Sequence, residues 1–587
     1  MEKYYTKERN AQIVLALLKS RGIRKIVASP GTTNIAIVGS VQNDPFFEVY
    51  SAVDERSAAY LACGLAAESN EPVVLSCTGA TASRNYMSGL TEAYYRKLPI
   101  IALTSAQSTC KSGHLYPQFV DRTEQPKDIV RCSVQLPVII TEEDEWNCVI
   151  KTNHALLELK RHGGGPIHIN IVTGGELTDF SVKKLPVVRV IDRITFEHPF
   201  PKLPTGKIAI FVGSHMPFDD VLTKVIDSFC ALTDAVVFCD HTSGYKGKYR
   251  ILYSLVASQQ IKDENVCPDL LIHIGEISGD YYTLGKIRSA KKVWRINKDG
   301  EIRDYFHKID CVFEMSEKDF FKHYITDSAV DNKENYLTSC KAVYHRIYNS
   351  LPELPFSNIW IASRLAPKLP PNSVLHLGIL NSLRSWNFFE IPNTVSSSSN
   401  VGGFGIDGGV STLIGASFCN PKKLYFGVFG DLAFFYDINV WGNHHIGSNL
   451  RILLINNGKG TEFRNYSHPG AAFGDDADKY IAAAGHFGNK SAQLVKHYAE
   501  DLGYEYMSAR NKEEFDSVYE HFLSPVMGQR SIIFEVFTTS DDESNALKLI
   551  NHIEEDSSLK TTAAFKKALH KFVGDDTVQM IKNVIKK

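Results

Sequence analysis

Short apolar runs alternate with amphipathic segments along most of this chain, and this alternation constrains the fold more than any other feature. In residues 1–178 the helical pattern AQIVLALLKSRG is followed by the strand-like runs PVVLSC, PIIALTS and PIHINIV. Runs this rich in Val, Ile and Leu are typical of strands buried on both faces of a parallel sheet. The sequence therefore predicts an α/β architecture.

The same pattern recurs in two further regions that are separated by changes in composition. A proline-rich connector precedes the second region at residues 206–325, and a polar helical connector precedes the third region at residues 356–540. We therefore predict three doubly wound parallel-sheet domains. Residues 541–587 have helical spacing and a lysine-rich end, so we predict a helical C-terminal tail on the surface or across a subunit contact.

The composition is that of a soluble globular protein and narrows the classes of function. Of the 587 residues, 44% are hydrophobic and 22% are charged, and the net charge is -2. This near-neutral charge gives no electrostatic basis for binding nucleic acid or a membrane surface. The N-terminus is charged and lacks the apolar run of a signal peptide. The 11 cysteines are scattered without a Cys-x-x-Cys pair, as expected of reduced thiols in a cytoplasmic protein.

A Gly-Asp pair and an Asn-Asn pair follow two successive apolar runs in the third region. Gly430 and Asp431 end the first run, and Asn457 ends the second, one helix and one strand later. The carboxyl ends of parallel strands form the edge where α/β sheets bind ligands. A magnesium-bound diphosphate needs hard oxygen ligands, which Asp431, the Asn457 amide and the Lys459 backbone carbonyl would supply. The alternative is an ordinary βαβ unit with polar turns.

The residues that open the helix after Asp431 fit the first interpretation. The amides of Leu432 and Ala433 would face the phosphates, because N–H groups at a helix N-terminus lack partners within the helix. The order of Gly430, Asp431 and Asn457 resembles the metal and diphosphate motif of thiamine diphosphate (ThDP) enzymes. The resemblance implies that the cofactors are ThDP and Mg²⁺, and that the third region binds the diphosphate.

Segments of the first region match the same family in the family's order. The segment around Glu55, FFEVYSAVDERSAAYLACGLAAES, resembles the part that binds the cofactor's pyrimidine ring. The resemblance implies that Glu55 hydrogen-bonds a ring nitrogen and activates the ring, that Gly79 in SCTGATASRN contacts the cofactor, and that Ile406 holds the cofactor bent. Taken singly, Glu55 would be a favourable helix-dipole partner and Ile406 ordinary core.

The resemblance also implies the roles of the domains and the assembly of subunits. The first region would bind the pyrimidine, and the second would be the middle domain. In this family the first domain of one subunit and the third domain of another share a cofactor, so we expect a homodimer or homotetramer. Some related synthases carry a flavin in the middle domain, but this middle region has no glycine-rich dinucleotide fingerprint. Flavin binding is therefore left open and is not favoured.

Several motifs are similar to those of the menaquinone-pathway synthases of this family. Gln118 falls where they have an active-site glutamine, and Arg384 matches a substrate arginine. However, Thr33, Gln107 and Val401 stand where those synthases have arginines, which bind substrate carboxylates in a bidentate manner. We therefore predict the scaffold of these synthases with a different substrate pocket.

The predicted activity is decarboxylation of a 2-oxo acid and transfer of its acyl unit to an acceptor carbonyl or alkene. The candidate catalytic residues are Glu55, His114, Gln118, Arg384 and Glu462, with Arg464 as a further candidate. His114 and Glu462 would donate or accept protons, or else lie outside the reaction centre. The alternatives are a simple decarboxylase of phosphonopyruvate, sulfopyruvate or a branched oxo acid, and a non-catalytic subunit of the same fold.

Two further segments carry titratable side chains. The basic and aromatic run at residues 245–250 would either meet an anionic acceptor, such as a phosphate or a nucleotide-linked sugar, or form an exposed polar loop. We expect His444 and His445 to lie mid-helix and to have a structural role.

Overall fold

The computed structural model describes residues 4–121, 124–175, 177–259, 261, 266–325, 334–484 and 491–554. The chain divides into two compact units. The first comprises Met1–Phe200 with Asp299–Glu314, and the second comprises Pro201–Lys298 with Met315–Lys587. The predicted α/β fold class is confirmed, because the described strands form three sheets with parallel pairing and with helices between the strands.

The first unit contains a six-stranded sheet. Its strands are β1 (Lys25–Ala28), β2 (Glu48–Ser51), β3 (Val73–Thr78), β4 (Ile100–Ala106), β5 (Ser133–Leu136) and β6 (Ile167–Val172). Their order is β2-β1-β3-β4-β6-β5, and all neighbouring pairs are parallel. A further parallel pair in this unit joins β7 (Asp192–Ile194) to β13 (Ile309–Glu314). The apolar runs predicted as strands are β3, β4 and β6.

Helices cover both faces of this first sheet. They are α1 (Arg9–Ser20), α2 (Ile35–Val41), α3 (Glu55–Ser69), α4 (Ala80–Asn85), α5 (Met87–Arg96) and α6 (Glu142–Glu158). Successive strand side chains point to opposite faces, so Val74 packs in one core with α1 and α6, whereas Val73 and Leu75 pack in another with α3 and α5. The two cores establish the doubly wound arrangement.

The second unit contains strands of two parallel sheets. One is the second sheet of the chain, with strands β8 (Ile208–Val212), β9 (Val236–Cys239), β10 (Arg250–Leu252), β11 (Leu270–Ile274) and β12 (Lys292–Asn297), in the order β10-β9-β8-β11-β12. The other is the third sheet, with strands β14 (Val374–Leu377), β15 (Ser396–Ser399), β16 (Tyr425–Gly430), β17 (Leu450–Asn456), β18 (Glu505–Ala509) and β19 (Ile532–Phe537), in the order β15-β14-β16-β17-β19-β18.

Thirteen α-helices connect the described strands of this unit or flank them. They are α7 (Asp220–Thr233), α8 (Ser254–Ala257), α9 (Tyr281–Ile287), α10 (Glu317–Tyr324), α11 (Asn335–Asn349), α12 (Asn358–Leu365), α13 (Asn381–Trp386), α14 (Gly409–Ser417), α15 (Asp431–Tyr436), α16 (Ala477–Tyr480), α17 (Leu494–Asp501), α18 (Lys512–Phe522) and α19 (Ser540–Asn551). No helix within the described ranges is long and apolar enough to cross a membrane.

The structure corrects two expectations about local conformation. His444 and His445 do not lie within a helix, because the 3₁₀ helix Ile438–Gly442 ends before them and they occupy a turn leading to β17. The run at residues 245–250 is not simply an exposed loop. Tyr245 and Tyr249 are almost fully buried, and the Tyr245 hydroxyl donates to Asp227.

The predicted C-terminal tail is described in part. Helix α19 (Ser540–Asn551) is capped by Thr539, whose side chain accepts a hydrogen bond from the Asp542 amide at 3.0 Å. Three acidic residues in its first turn interact favourably with the positive end of the helix dipole. The remainder of the tail, residues 555–587, lies outside the described residues, as does the part of the polar connector at residues 326–333.

Candidate functional site

Asp431 lies where β16 ends and α15 begins, at the carboxyl edge of the third sheet. Its side chain is almost fully buried. One carboxylate oxygen, Oδ1, accepts the Leu432 amide at 2.8 Å, and Oδ2 accepts the Gly458 amide at 2.6 Å. Gly458 has a φ of +77°, a conformation that glycine adopts at low cost. This turn after β17 therefore holds the second strand end against the first.

Burial destabilises the charged form of the Asp431 carboxyl. Desolvation raises the pKa of this carboxyl to about 7, although the two backbone N–H groups act in the opposite direction. A buried carboxylate is stabilised when it is paired with a charge or coordinates a metal ion. The environment of Asp431 thus favours a cation beside it.

The turn after β17 carries two further oxygen donors, one from Asn457 and one from Lys459. The Asn457 Oδ1 atom is buried and has no hydrogen-bond partner among the described residues. The Lys459 carbonyl accepts the Thr461 amide at 2.8 Å and retains a second lone pair. The Lys459 ammonium lies 2.5 Å from Asp478 and is therefore engaged elsewhere. A carboxylate, an amide oxygen and a carbonyl form an oxygen donor set that fits Mg²⁺.

The sequence-predicted cofactor residues of this unit share one cavity of about 110 Å³. Its described lining includes Ile406, Gly430, Asp431, Leu432, Ala433, Asn457, Lys459 and Glu462. The Leu432 amide is occupied by the neighbouring carboxylate, so it is not a free donor as the sequence suggested. The cavity also includes Leu380, which sequence reasoning missed. Its φ of +61° is uncommon outside glycine and concentrates at functional sites.

Arg384 and Glu462 form an ion pair that the sequence did not predict. The Arg384 Nη2 atom lies 2.7 Å from both carboxylate oxygens of Glu462. Asn465 donates a further hydrogen bond to Glu462 at 3.1 Å. The two charged side chains are 14% and 20% exposed, and both line a second cavity of about 260 Å³. The Arg384 guanidinium is therefore already engaged by a carboxylate of the protein.

This pairing leads to a testable expectation about stability. Arg384→Met and Glu462→Gln should each lower the melting temperature, because each leaves one partly buried partner unpaired. The double variant should lose less than the sum of the two single changes, with a coupling of about 1–2 kcal/mol. Differential scanning calorimetry of the three variants measures this non-additivity.

An exposed ion pair provides the matched control for that experiment. Arg364 and Asp516 lie 3.1 Å apart with side chains 41% and 44% exposed. Exposed pairs contribute about 0–1 kcal/mol, so Arg364→Met and Asp516→Asn should change the melting temperature little. Strictly additive losses at Arg384 and Glu462 would contradict the expected coupling.

In the first unit, Glu55 is the first residue of α3 and is half-buried. Asp54 caps this helix by accepting the Arg56 amide at 3.1 Å, which fixes the start of α3 and hence the direction of the Glu55 side chain. The Asn85 Nδ2 atom lies 3.5 Å from the Glu55 carboxylate. The geometry leaves Glu55 accessible at the carboxyl edge of the first sheet, after β2.

A cavity of about 660 Å³ lies at the same edge of this unit. Its lining includes Gly79, Gln118, Thr33 and Gln107. His114 lies on the same loop as Gln118 but is exposed and is not among the described lining residues. Gln118 has a φ of +69°, a strained conformation for a residue other than glycine. The structure thus brings Gln118 to the cavity and leaves His114 outside it.

Arg464 and Val401 complete the positions singled out from the sequence. Arg464 donates to the Gly474 carbonyl and lies 2.9 Å from Asp475, so its guanidinium is held within its own loop. Val401 is almost fully buried and therefore presents no polar group to a ligand.

Comparison with known proteins identifies the class. The family model described as "Thiamine pyrophosphate enzyme, N-terminal TPP binding domain" matches residues 9–125. This match includes Glu55 and Gly79, and it agrees with the resemblance drawn from the motifs. The protein is a thiamine diphosphate-dependent enzyme.

Relatives that align over most of the chain define the family more closely. The chain is 30% identical over 573 residues to a 2-succinyl-5-enolpyruvyl-6-hydroxy-3-cyclohexene-1-carboxylate synthase of Bacteroides fragilis, covering 93% of this chain and 99% of the relative. Synthases of the same name from Bacteroides thetaiotaomicron and Phocaeicola vulgatus are each 31% identical, with the same coverage. The chain belongs to the family of these synthases.

Proposed function

We propose that this protein uses ThDP and Mg²⁺ to decarboxylate a 2-oxo acid and to transfer the remaining acyl unit to an acceptor in a biosynthetic pathway. One observation carries the proposal. Asp431, with its buried carboxylate, and Asn457, whose buried amide oxygen has no partner within the described part of the chain, line the same cavity at the carboxyl edge of the third sheet. Such a set of oxygens is suited to a cation that anchors a diphosphate.

The protein residues have distinct tasks in this proposal. Bound ThDP supplies carbanion stabilisation, which is chemistry that side chains alone do not provide. Asp431, Asn457 and the Lys459 carbonyl hold the cation, and Ile406 forms the apolar wall of the cleft. Glu55 hydrogen-bonds the pyrimidine ring and holds the proton that activates it. The ligating outcome is favoured because the relatives are named as synthases.

The substrates are proposed to differ from those of the named relatives. Thr33 and Gln107 line the cavity of the first unit, and Val401 is buried in the second. The motif resemblance places substrate arginines at these three positions. Loss of a charge-assisted hydrogen bond to a carboxylate costs about 1.5–3 kcal/mol. A substrate with several carboxylates would therefore bind poorly here.

Product analysis tests the proposed reaction. The protein with ThDP, Mg²⁺ and pyruvate or 2-oxoglutarate should release carbon dioxide, and with a suitable aldehyde or ketone it should form a new carbon–carbon bond, detected by mass spectrometry and NMR. If free aldehyde is the only product with every acceptor, the protein is a simple decarboxylase. Calorimetry without any ThDP binding would instead support a non-catalytic subunit.

We also expect a homodimer or homotetramer of the 65.6 kDa chain. Large apolar side chains are exposed on β2, on the turn after it, and on α3 and α5: Tyr50, Val53, Tyr60, Leu61 and Tyr95. Large apolar side chains exposed on neighbouring elements are typical of a protein–protein contact. Sedimentation equilibrium should detect the oligomer, and a stable monomer with full activity would contradict it.

A further inference from the structure

The cavity of the first unit has an unusual lining for a family whose named members make a carboxylate product. Of its eighteen described lining residues, ten carry a neutral hydroxyl or carboxamide group, and the one charged side chain among them is the carboxylate of Asp121. Hydroxyl and carboxamide groups both donate and accept hydrogen bonds. A carboxylate ligand needs cationic donors for strong binding, which these described residues do not provide.

The polar groups of the wall are held in place by the fold. The Asn170 carboxamide accepts from Thr104 at 2.9 Å and donates to the Gln135 Oε1 atom at 3.2 Å. Asn170 is almost fully buried. The hydrogen bond from Asn170 thereby fixes the orientation of the Gln135 carboxamide, which also lines the cavity.

Thr33 shapes the opposite part of the wall. Its hydroxyl donates to the Ser105 carbonyl at 2.6 Å and accepts the Gly79 amide at 3.3 Å. It therefore ties the turn that follows β3 to the end of β4, and it is committed to the fold rather than to an ion. Phe119 adds an apolar surface to the same cavity.

We infer that the acceptor of this enzyme is a neutral polyhydroxylated carbonyl compound, of the sugar class, bound by this hydroxyl- and carboxamide-lined cavity. The inference rests on the proposed function and narrows its acceptor. Fixed hydrogen-bonding groups recognise hydroxyls, and the ring of Phe119, over which the Lys111 ammonium lies 5.4 Å from the centroid, adds apolar surface to the wall. A site built to hydrogen-bond substrate hydroxyls discriminates strongly against analogues that lack them.

The implied reaction is balanced without an external oxidant. The bond between the carboxylate and the carbonyl carbon of the 2-oxo acid breaks, and carbon dioxide leaves. The electron pair of that bond forms the new bond to the acceptor's carbonyl carbon. The acceptor's carbonyl oxygen takes up one proton and becomes a hydroxyl. The product is an α-hydroxy ketone.

Binding of a matched pair of four-carbon compounds tests the inference independently of turnover. Threitol and tartrate share a dihydroxy core and differ in ending with CH₂OH or with carboxylate. In saturation-transfer NMR with the ThDP- and Mg²⁺-loaded protein, threitol should bind at least about tenfold more tightly than tartrate, the factor expected for an anion without a cationic donor. Equal binding, tighter tartrate binding, or no binding of threitol would overturn the inference.

Two variants at one wall position connect the preference to this cavity. Gln107→Arg supplies a guanidinium and should shift the preference toward tartrate. Gln107→Ala removes the carboxamide without adding charge, so it should weaken threitol binding and leave tartrate weak. A Gln107→Arg variant with the native preference would overturn the assignment to this cavity.

A reaction readout separates this inference from the proposed function. With pyruvate as donor, erythrose should be ligated with a kcat/KM at least about tenfold higher than that of glyoxylate. If carbon dioxide is released but glyoxylate is the better acceptor, the neutral acceptor is wrong and the proposed function remains. If calorimetry detects no ThDP binding, the proposed function fails, whatever the polyol preference.

Discussion

Replacing Glu55 by glutamine is expected to reduce turnover by about a hundredfold to ten-thousandfold, the range associated with a positioned proton-transfer group. Glutamine keeps the shape of the side chain, and α3 remains capped by Asp54. The fold and most of the cofactor affinity should therefore persist. Steady-state carbon dioxide release and isothermal titration with ThDP measure the two effects separately.

The control for this variant lies on the same helix. Glu68 is an exposed glutamate near the end of α3, and Glu68→Gln makes the same chemical change away from the sheet edge. It should leave both turnover and ThDP affinity unchanged. Full turnover in Glu55→Gln would remove Glu55 from its assigned role, and a loss shared with Glu68→Gln would point to a general effect on the helix.

Replacing Asp431 by asparagine is expected to weaken ThDP binding in the presence of Mg²⁺ by at least about a hundredfold. Loss of groups that merely support metal ligands already costs about 10–100-fold in affinity, and Asp431 is the proposed charged ligand. The apoprotein should keep its melting temperature closely, because removing a buried charge offsets the altered hydrogen bonds to Leu432 and Gly458. A misfolded variant would instead lose both cofactor affinity and the native melting temperature.

Cofactor-dependent stabilisation provides the measurement. At a cofactor concentration 100 times the dissociation constant, the native protein gains about 2.7 kcal/mol of stability, and Asp431→Asn should gain almost none. Asp476→Asn is the matched control, since that carboxylate is exposed and is paired with Lys479 at 2.8 Å. Equal cofactor stabilisation in Asp431→Asn and the native chain would contradict the proposed metal site.

Strands that are buried on both faces were predictable from the sequence, and the edge strand β15 was not. β3, β4 and β17 are rich in apolar residues and are buried along almost their whole length. β15 is the serine run Ser396–Ser399 at the edge of its sheet, and it carries no apolar signal. β15 forms because its backbone groups pair with β14, which is information that the local sequence does not contain.

The sequence indicated which chemistry each polar side chain is capable of, but only the fold determined which group it pairs with. Arg384 and Glu462 were predicted as separate substrate and proton-transfer residues, whereas they form one ion pair. Likewise, His114 and Gln118 were predicted together, and the loop conformation brings one of the two to the cavity. Side chains 78 positions apart, such as those of Arg384 and Glu462, meet through tertiary packing, which a reading along the chain does not reveal.

The sequence by itself determined the α/β class and the family. It also determined which polar residues, Asp431 and Asn457, directly follow the two strands. These features follow from local apolar periodicity and from motifs whose chemistry is set by residue type. Tertiary structure decided which oxygens are buried without partners, which charges are already neutralised, and which neutral polar groups line the large cavity of the first unit. Burial and pairing depend on residues that are distant in the chain, so they arise only when the sheets assemble.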